Sequence, residues 1–382
     1  MLHLSDYDAI VLGAGPVGLV AALALASKHR VALVANRLPV ASDPPRVEAA
    51  PAALLTLLLE FGVHPAELSV TRLYESRVSA WEVATSETQP SPPMAHIERP
   101  ALELALLRRA LASPRLDVIQ RPISAQMVEQ LSRAAKPGCR LLDATGRRAL
   151  SAAARMQPSR PWGSRSFWAS NERQQFDGAF GLAALPDGYV YRLGGARLAG
   201  LGFVGRGKLL KTGAEEIRRE LKSCGADWIL DGLPPLERMR PGKTALASVQ
   251  WAIGGAVMRI GDAALARDAL SSQGLSCGIS EALYAATGKE LSNLLAARQT
   301  EQRALHLQSL GQLISRCRYG RLAAWRSYAA FIEHSQVKAR PVSVVALKDN
   351  RVINVKSPAH AYEPTTDWKL KPGADPTART PD

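Results

Sequence analysis

A short apolar run followed at once by a glycine-rich turn constrains this chain more than any other feature. Asp8–Leu12 reads as a buried strand, Gly13-Ala-Gly-Pro-Val-Gly18 as a turn, Leu19–Ser27 as a helix and Arg30–Ala35 as a second strand. Strand, turn, helix and strand in that order are the context in which GxGxxG signals a dinucleotide site. Gly13 permits the tight turn, Gly15 lets the backbone approach a pyrophosphate, and Gly18 lets helix and strand pack closely. Pro16 and Val17 belong to the same cofactor-binding turn, and the N-terminus of the helix that follows offers N–H groups and a favourable dipole to phosphates. The second strand of such a unit usually ends in Asp or Glu, which binds the ribose. Here the tip is Ala35-Asn36-Arg37. Asn36 can hydrogen-bond a ribose hydroxyl more weakly, and Arg37 can pair with a phosphate. The turn alone does not choose among FAD, NAD and NADP.

Downstream, Arg46–Pro51 reads as a loop, Ala52–Phe61 as an amphipathic helix ended by Gly62, and Thr85–Met94 as an exposed Pro/Ser-rich loop. Arg99–Leu111 is a helix with proline in its first turn, where a missing N–H costs nothing. Leu116–Ile119 and Arg140–Leu142 read as strands, the latter entering Asp143-Ala-Thr-Gly146. The middle third alternates or carries aromatics at Ser166–Ser170, Gly178–Ala184 and Gly188–Leu193, with a hairpin at Gly194-Gly195 into Arg197–Val204. Thr212–Ser223 reads as a helix and Thr244–Trp251 as a strand. A further strand enters the Gly261-Asp262 turn, and a helix runs from about Ser276 through Leu294. Glu301–His334 is mostly helical, and the Pro/Thr/Asp-rich stretch from Tyr362 reads as loosely ordered.

Composition bounds the function. Lys and Arg number 48 against 34 Asp and Glu, a formal charge of +14 across 382 residues. The basic residues are spread along the chain without a helix-turn-helix, zinc-finger or RNA-binding signature, so nucleic acid is not the expected partner. The longest apolar stretches are far short of the ~20 residues that span a bilayer. Cys139, Cys224, Cys277 and Cys317 show no ligand spacing, so a reduced, cytoplasmic protein with no metal is the expectation.

Three separated motifs resemble the FAD-dependent aromatic hydroxylases, the single-component flavoprotein monooxygenases, a superfamily that includes the flavin-dependent halogenases. They are Gly13–Gly18, Asp143-Ala-Thr-Gly146, and Arg259-Ile-Gly-Asp-Ala-Ala264 with Ser271-Ser-Gln-Gly274, and their order fits across residues 8–295. The resemblance implies an α/β chain with a Rossmann-like, GR2-type FAD-binding domain from three pieces, 1–80, 95–155 and 252–298. An antiparallel-sheet substrate domain would span 156–251, a helical segment 299–362 and a tail 363–382. It places Asp262, in the Gly261-Asp262 turn, on a ribityl hydroxyl of FAD. Gln273, Gly274 and Leu275 would lie beside the flavin ring, and Arg46 and Arg99 would face the cofactor. Leu265 stands where the family has histidine, Ala269 where it has proline, and Ser272-Gln273-Gly274 where it has GQG. The halogenase WxWxIP segment has no counterpart, and an active-site lysine is the other halogenase mark.

The implied activity is monooxygenation of an aromatic ring with FAD, NADH or NADPH as a transient reductant, and O₂. No His/Asp or Ser/His/Asp arrangement emerges, so no catalytic residue is named. Arg46-Val-Glu, Ala184–Arg192 and Asp268–Gly274 are similar to the branch that hydroxylates tryptophan in a partner protein to build tryptophylquinone. An example is the small subunit of quinohemoprotein amine dehydrogenase. The charge surplus would then suit an acidic polypeptide substrate. A small-molecule hydroxylase, a flavin reductase or oxidase, and a non-catalytic FAD-binding assembly factor stand as alternatives.

Overall fold

In the computed structural model, Asp8–Leu12 and Arg30–Ala35 become the centre of a five-stranded parallel sheet. Strands β1 (Ala9–Leu12) and β2 (Val31–Ala35) are buried along their whole length. That is what continuous Val/Ile/Leu/Ala runs in a sheet covered on both faces require. The described residues are 6–152, 155–156, 162–170, 179–195, 197–206, 211, 213–233, 240–243, 247–249, 257–287 and 291–338. They belong to one unit spanning Met1–Val342.

The remaining strands, in chain order, are β3 (Val47–Pro51), β4 (Tyr74–Ala80), β5 (Glu87–Glu98), β6 (Leu116–Gln120), β7 (Arg140–Asp143), β8 (Arg155–Met156), β9 (Gly163–Ser170), β10 (Phe180–Leu185), β11 (Gly188–Gly194), β12 (Leu198–Gly205), β13 (Arg240–Lys243), β14 (Ala247–Val249), β15 (Val257–Arg259) and β16 (Leu265–Ala266). The helices are α1 (Pro16–Ala26), α2 (Ala52–Glu60), α3 (Arg99–Ala112), α4 (Ala125–Ala134), α5 (Ala214–Ser223), α6 (Gly274–Thr287), α7 (Leu291–Ser315) and α8 (Ala323–Lys338).

The parallel sheet runs β15-β7-β1-β2-β6, and a second, eight-stranded sheet runs β13-β9-β12-β11-β10-β4-β5-β3. A small sheet joins β16, β14 and β8. Helix α1 is buried around most of its circumference, which its Ala/Val/Leu composition allows. The parallel sheet, α1, α3 and α6 share one apolar core. On the second sheet, α5 buries Ile217 and Leu221 against Phe167, Leu201 and Phe203. Helices α7 and α8 contribute Leu307, Leu310, Trp325 and Tyr328 to a third, aromatic core with Trp81, Trp162 and Tyr189. Arg318 ties the α7–α8 turn to the sheet by donating to the carbonyls of Val83 (3.2 Å), Ala184 (3.1 Å) and Cys224 (2.7 Å).

The α/β expectation, with a parallel nucleotide-type sheet, a second largely antiparallel sheet and C-terminal helices, is what the structure contains. Two local readings differ. Arg46–Pro51 is not a loop, since Val47–Pro51 pairs with Met94–Glu98 as β3. The Pro/Ser-rich stretch Thr85–Met94 is mostly strand β5. Its first part pairs with β4 at Ser76–Ser79, its second with β3, and a register shift falls between Tyr74 and Ser76. Pro92 and Pro93 sit at that irregularity, where a missing ladder N–H is tolerated. Helix α4 is an addition that periodicity did not single out. Gly178, Thr212, part of Thr244–Trp251 and the stretch from Tyr362 lie outside the described residues.

Candidate functional site

The carboxyl ends of β1, β7 and β15 lie side by side, and open α/β sheets bind ligands at that edge. After β1 the chain turns at Gly13, whose φ of 106° suits glycine. A Cβ there would lie 2.5 Å from the Ala144 carbonyl oxygen, and one on Gly18 only 1.9 Å from the Gly13 carbonyl oxygen. Both glycines let backbones touch. Gly15 differs: its φ of −76° is ordinary, and the nearest atom to an added Cβ is Arg99 Nη2 at 4.0 Å. Gly15 is the N-cap of α1, followed by Pro16, with no side-chain cap and no acid in the first turn. The positive end of the helix dipole therefore faces an open space.

That space is a cavity of about 400 Å³. Gly15, Pro16 and Val17 form its first wall, with Ala144, Gly146 and Arg147 beside them. The Ala144–Ser151 loop is set by Asp143, which is fully buried and accepts from Thr145 N (2.9 Å), Thr145 Oγ1 (2.6 Å), Ser151 N (2.8 Å) and Ser151 Oγ (2.6 Å). Asp143 is thus consumed in shaping the wall. Val17 packs under the next segment: Cβ atoms on Gly261 and Gly278 would meet its methyls at 3.1 and 2.7 Å. Gly261 (φ 60°) donates its N–H to Glu281 Oε2 at 2.9 Å and presents Asp262 to the cavity. Asp262 is half-exposed and lies 3.3 Å from Arg147 Nε. Beneath this turn, buried Glu281 also accepts from Arg267 and from Gln299 Nε2, each at 3.1 Å. Burial raises the Glu281 carboxyl in spite of the Arg267 guanidinium.

Arg46 and Arg99 both reach the cavity, but not as bare cations. Glu48 on β3 accepts from Arg99 Nη1 at 2.9 and 3.0 Å and pairs with Arg46 Nη2 at 2.8 Å. Arg99 Nε also donates to Glu103 at 2.6 Å. Burial alone would raise the Glu48 carboxyl, yet Arg46 and Arg99 outweigh it and hold it below its ordinary range. Arg99 resists burial in the same way and is raised by Glu48 and Glu103. Sequence reasoning named the arginines and missed Glu48, although Glu48 lies two residues beyond Arg46. The opposite wall comes from the second sheet, with Phe180, Tyr191 and Leu193. The far rim is Asp268, Ala269, Ser272, Gly274 and Leu275, ahead of α6.

The cavity therefore gathers Gly15, Pro16, Val17, Arg46, Arg99, Asp262, Gly274 and Leu275. Gly13, Gly18 and Gly261 support it from behind. Asn36 and Arg37 are not among its lining residues. Asn36 Oδ1 accepts from Ile123 N, and Arg37 pairs with Asp43, because both sit where β2 hands over to local loops. Gln273 is exposed and outside the lining, with its N–H directed to Ser271 Oγ at 3.3 Å. The sequence signal for Arg147, Asp268 and Tyr191 was weak, since their partners come from distant segments.

No protein-family model matches the sequence, and no curated protein matches it. Solved structures do match in fold. One is the "peptidyl tryptophan dihydroxylase QhpG essential for tryptophylquinone cofactor biogenesis", at TM-score 0.59 and 18% identity over 84% of this chain and 77% of that one. The chain has the fold of FAD-dependent monooxygenases and halogenases. The myxobacterial chondrochloren halogenase CndH, an FAD-dependent enzyme, aligns at TM-score 0.62 and 18% identity over 84% and 85%. PqsL, a probable FAD-dependent monooxygenase from Pseudomonas aeruginosa, aligns at 0.61 and 16% over 86% and 99%. The cavity fits an extended, phosphate-bearing cofactor. Gly15, Gly146 and Gly274 all line it, and added Cβ atoms would meet no protein atom closer than 4.0 Å.

Proposed function

We propose that this chain binds FAD in the cavity between its two larger sheets and uses it to oxygenate an aromatic ring. The observation that carries the reading is the meeting of two unlike walls. Three glycines with open Cβ positions and an uncapped helix end face an aromatic and aliphatic sheet wall across one cavity. The backbone of Gly15 and the α1 N-terminus would hold the pyrophosphate. Asp262 would accept from cofactor hydroxyls, and the Gly274–Leu275 start of α6 would lie against the ring system. Arg46 and Arg99, balanced by Glu48, give that end of the cavity polarity without a large net charge. Phe180, Tyr191 and Leu193 offer a surface on which a flat ring stacks and from which water is excluded. FAD supplies the redox and oxygen chemistry; the protein supplies position and dryness.

Hydroxylation is favoured over halogenation because the sequence holds no counterpart of the halogenase WxWxIP segment. The reductant in this reading is NADH or NADPH, and the ring is a tryptophan side chain in a partner polypeptide. The short motifs at Arg46–Glu48, Ala184–Arg192 and Asp268–Gly274, together with the +14 charge, support a peptide over a free small molecule. Mass spectrometry of tryptophan-containing peptides and free indoles, after incubation with protein, FAD, NAD(P)H, O₂ and chloride, tests this. Gain of one or two oxygens on a peptide is expected. Nicotinamide oxidation with no oxygen gain in any substrate would point to a reductase or oxidase, and chlorine gain to a halogenase.

A further inference from the structure

We infer that Asp268 is a positioning residue through which helix α8 sets the shape of the Asp268–Gly274 rim of the cavity. The inference deepens the flavin reading and rests on it. Asp268 is 1% exposed, an unusual place for a carboxylate that forms no ion pair among the described residues. Its Oδ1 accepts from Tyr189 Oη on β11 at 2.7 Å and from Leu270 N at 2.9 Å. Its Oδ2 accepts from Tyr328 Oη on α8. One carboxylate therefore joins the second sheet, the C-terminal helix and the rim. A buried carboxylate needs such donors, because burying it without them is strongly unfavourable.

The rim is a turn that needs holding. Ala269–Ser271 is a single 3-10 turn, and Ser272 follows at φ 50°, the left-handed region that a side chain seldom adopts. Hydrogen bonds back to Asp268 pin it: Ser271 N to the Asp268 carbonyl at 3.2 Å and Ser271 Oγ to the same oxygen at 2.9 Å. Ser272 N adds a bond to the Ala269 carbonyl at 3.1 Å. Ser272 and Gly274 line the cavity directly, so a change in this turn changes the cofactor side of the site.

Helix α8 has a fixed seat from which to act. Trp325, three residues before Tyr328, donates Nε1 to the Leu185 carbonyl at 2.8 Å. Trp162 stacks on Tyr328 with ring centroids 4.4 Å apart, and meets Trp325 edge-on at 4.9 Å. The Tyr328 hydroxyl is the polar tip of this aromatic block and reaches the rim. Burial, with Asp268 beside them, keeps both tyrosine hydroxyls protonated and donating.

The test compares wild-type protein with Tyr328→Phe, Tyr189→Phe and Asp268→Asn, using Arg326→Gln as the control on the exposed side of α8. Phenylalanine keeps the stack on Trp162 and removes only the donor. Two readouts are taken: amide hydrogen exchange at 269–274 in ligand-free protein, and FAD affinity by quenching of flavin fluorescence. Loss of one charge-assisted hydrogen bond predicts about tenfold faster exchange across the turn and about tenfold weaker FAD binding in Tyr328→Phe, with Arg326→Gln unchanged. Exchange and affinity within about twofold of wild type in the folded variants would overturn the inference. Should Tyr328→Phe fail to melt cooperatively, Tyr189→Phe is read by the same criteria. If the wild-type protein binds no FAD, the flavin reading fails, while the exchange data still decide whether α8 holds the rim.

Discussion

Replacing Gly15 with alanine separates a ligand cradle from a packing glycine. In the protein alone the change is mild: φ −76° and ψ 175° suit any residue, and the new Cβ meets nothing nearer than Arg99 Nη2 at 4.0 Å. Removing glycine's freedom in the unfolded chain stabilises by about 0.4–1 kcal/mol. Alanine is a poorer N-cap by a similar amount, so stability stays within about 1 kcal/mol and Tm within about 3 °C. The methyl nevertheless projects where a pyrophosphate approaches the backbone. One methyl of overpacking costs about 1–3 kcal/mol, which is roughly a 5- to 150-fold rise in the Kd for FAD. Gly18→Ala is the contrasting variant. Its Cβ would lie 1.9 Å from the Gly13 carbonyl oxygen and 3.3 Å from the Ala144 Cβ, so the fold itself is lost or severely weakened. Melting curves and fluorescence titration of both variants make the comparison. A Gly15→Ala protein that folds and binds FAD with wild-type affinity would refute the placement of the cofactor at this turn.

Three further outcomes follow from the same structure. His96 and His306 are each 3% exposed and driven down to about 4 by burial, so they are neutral when folded and take up protons first when unfolded. Stability is therefore fully present above pH 6.5 and falls toward pH 4 by roughly 2–3 kcal/mol per histidine; urea midpoints will show that slope, and the His96→Gln/His306→Gln double variant will flatten it. Glu48→Gln leaves Arg99 with Glu103 alone and costs about 2 kcal/mol at pH 7, less than a fully buried pair because both partners are partly exposed. Since the Glu48 carboxyl is held low, its contribution is complete above 4.5 and disappears as pH falls through its folded value, so wild type and variant converge in acid. If an acidic polypeptide is the substrate, raising salt to physiological strength slows turnover at low substrate concentration, and an unchanged rate would assign the +14 charge to the surface alone.

Much of the parallel-sheet half was legible because its signals are local. The apolar run of β1, the three glycines and the burial of β2 lie within 28 residues, and Gly13 and Gly18 each solve a steric problem visible in the structure. The Asp143–Gly146 and Gly261-Asp262 turns were legible for the same reason. The partners of Asn36 and Arg37 were not legible, because position at a strand tip does not fix a side chain: Ile123, far along the chain, and Asp43 engage them. Prolines suggested a loop at 85–94, but a strand with a register shift accommodates them. Glu48, Asp268 and Tyr328 were not singled out, because their roles arise from contacts across 51, 79 and 60 residues. Residue type alone carries no trace of such pairings.

The most direct test of the account is titration of FAD into the purified protein, followed by its flavin absorption bands and fluorescence quenching. Saturation at one FAD per chain, weakened by Gly15→Ala while folding is retained, is the predicted result. A folded wild-type protein that neither carries flavin nor binds added FAD would contradict it.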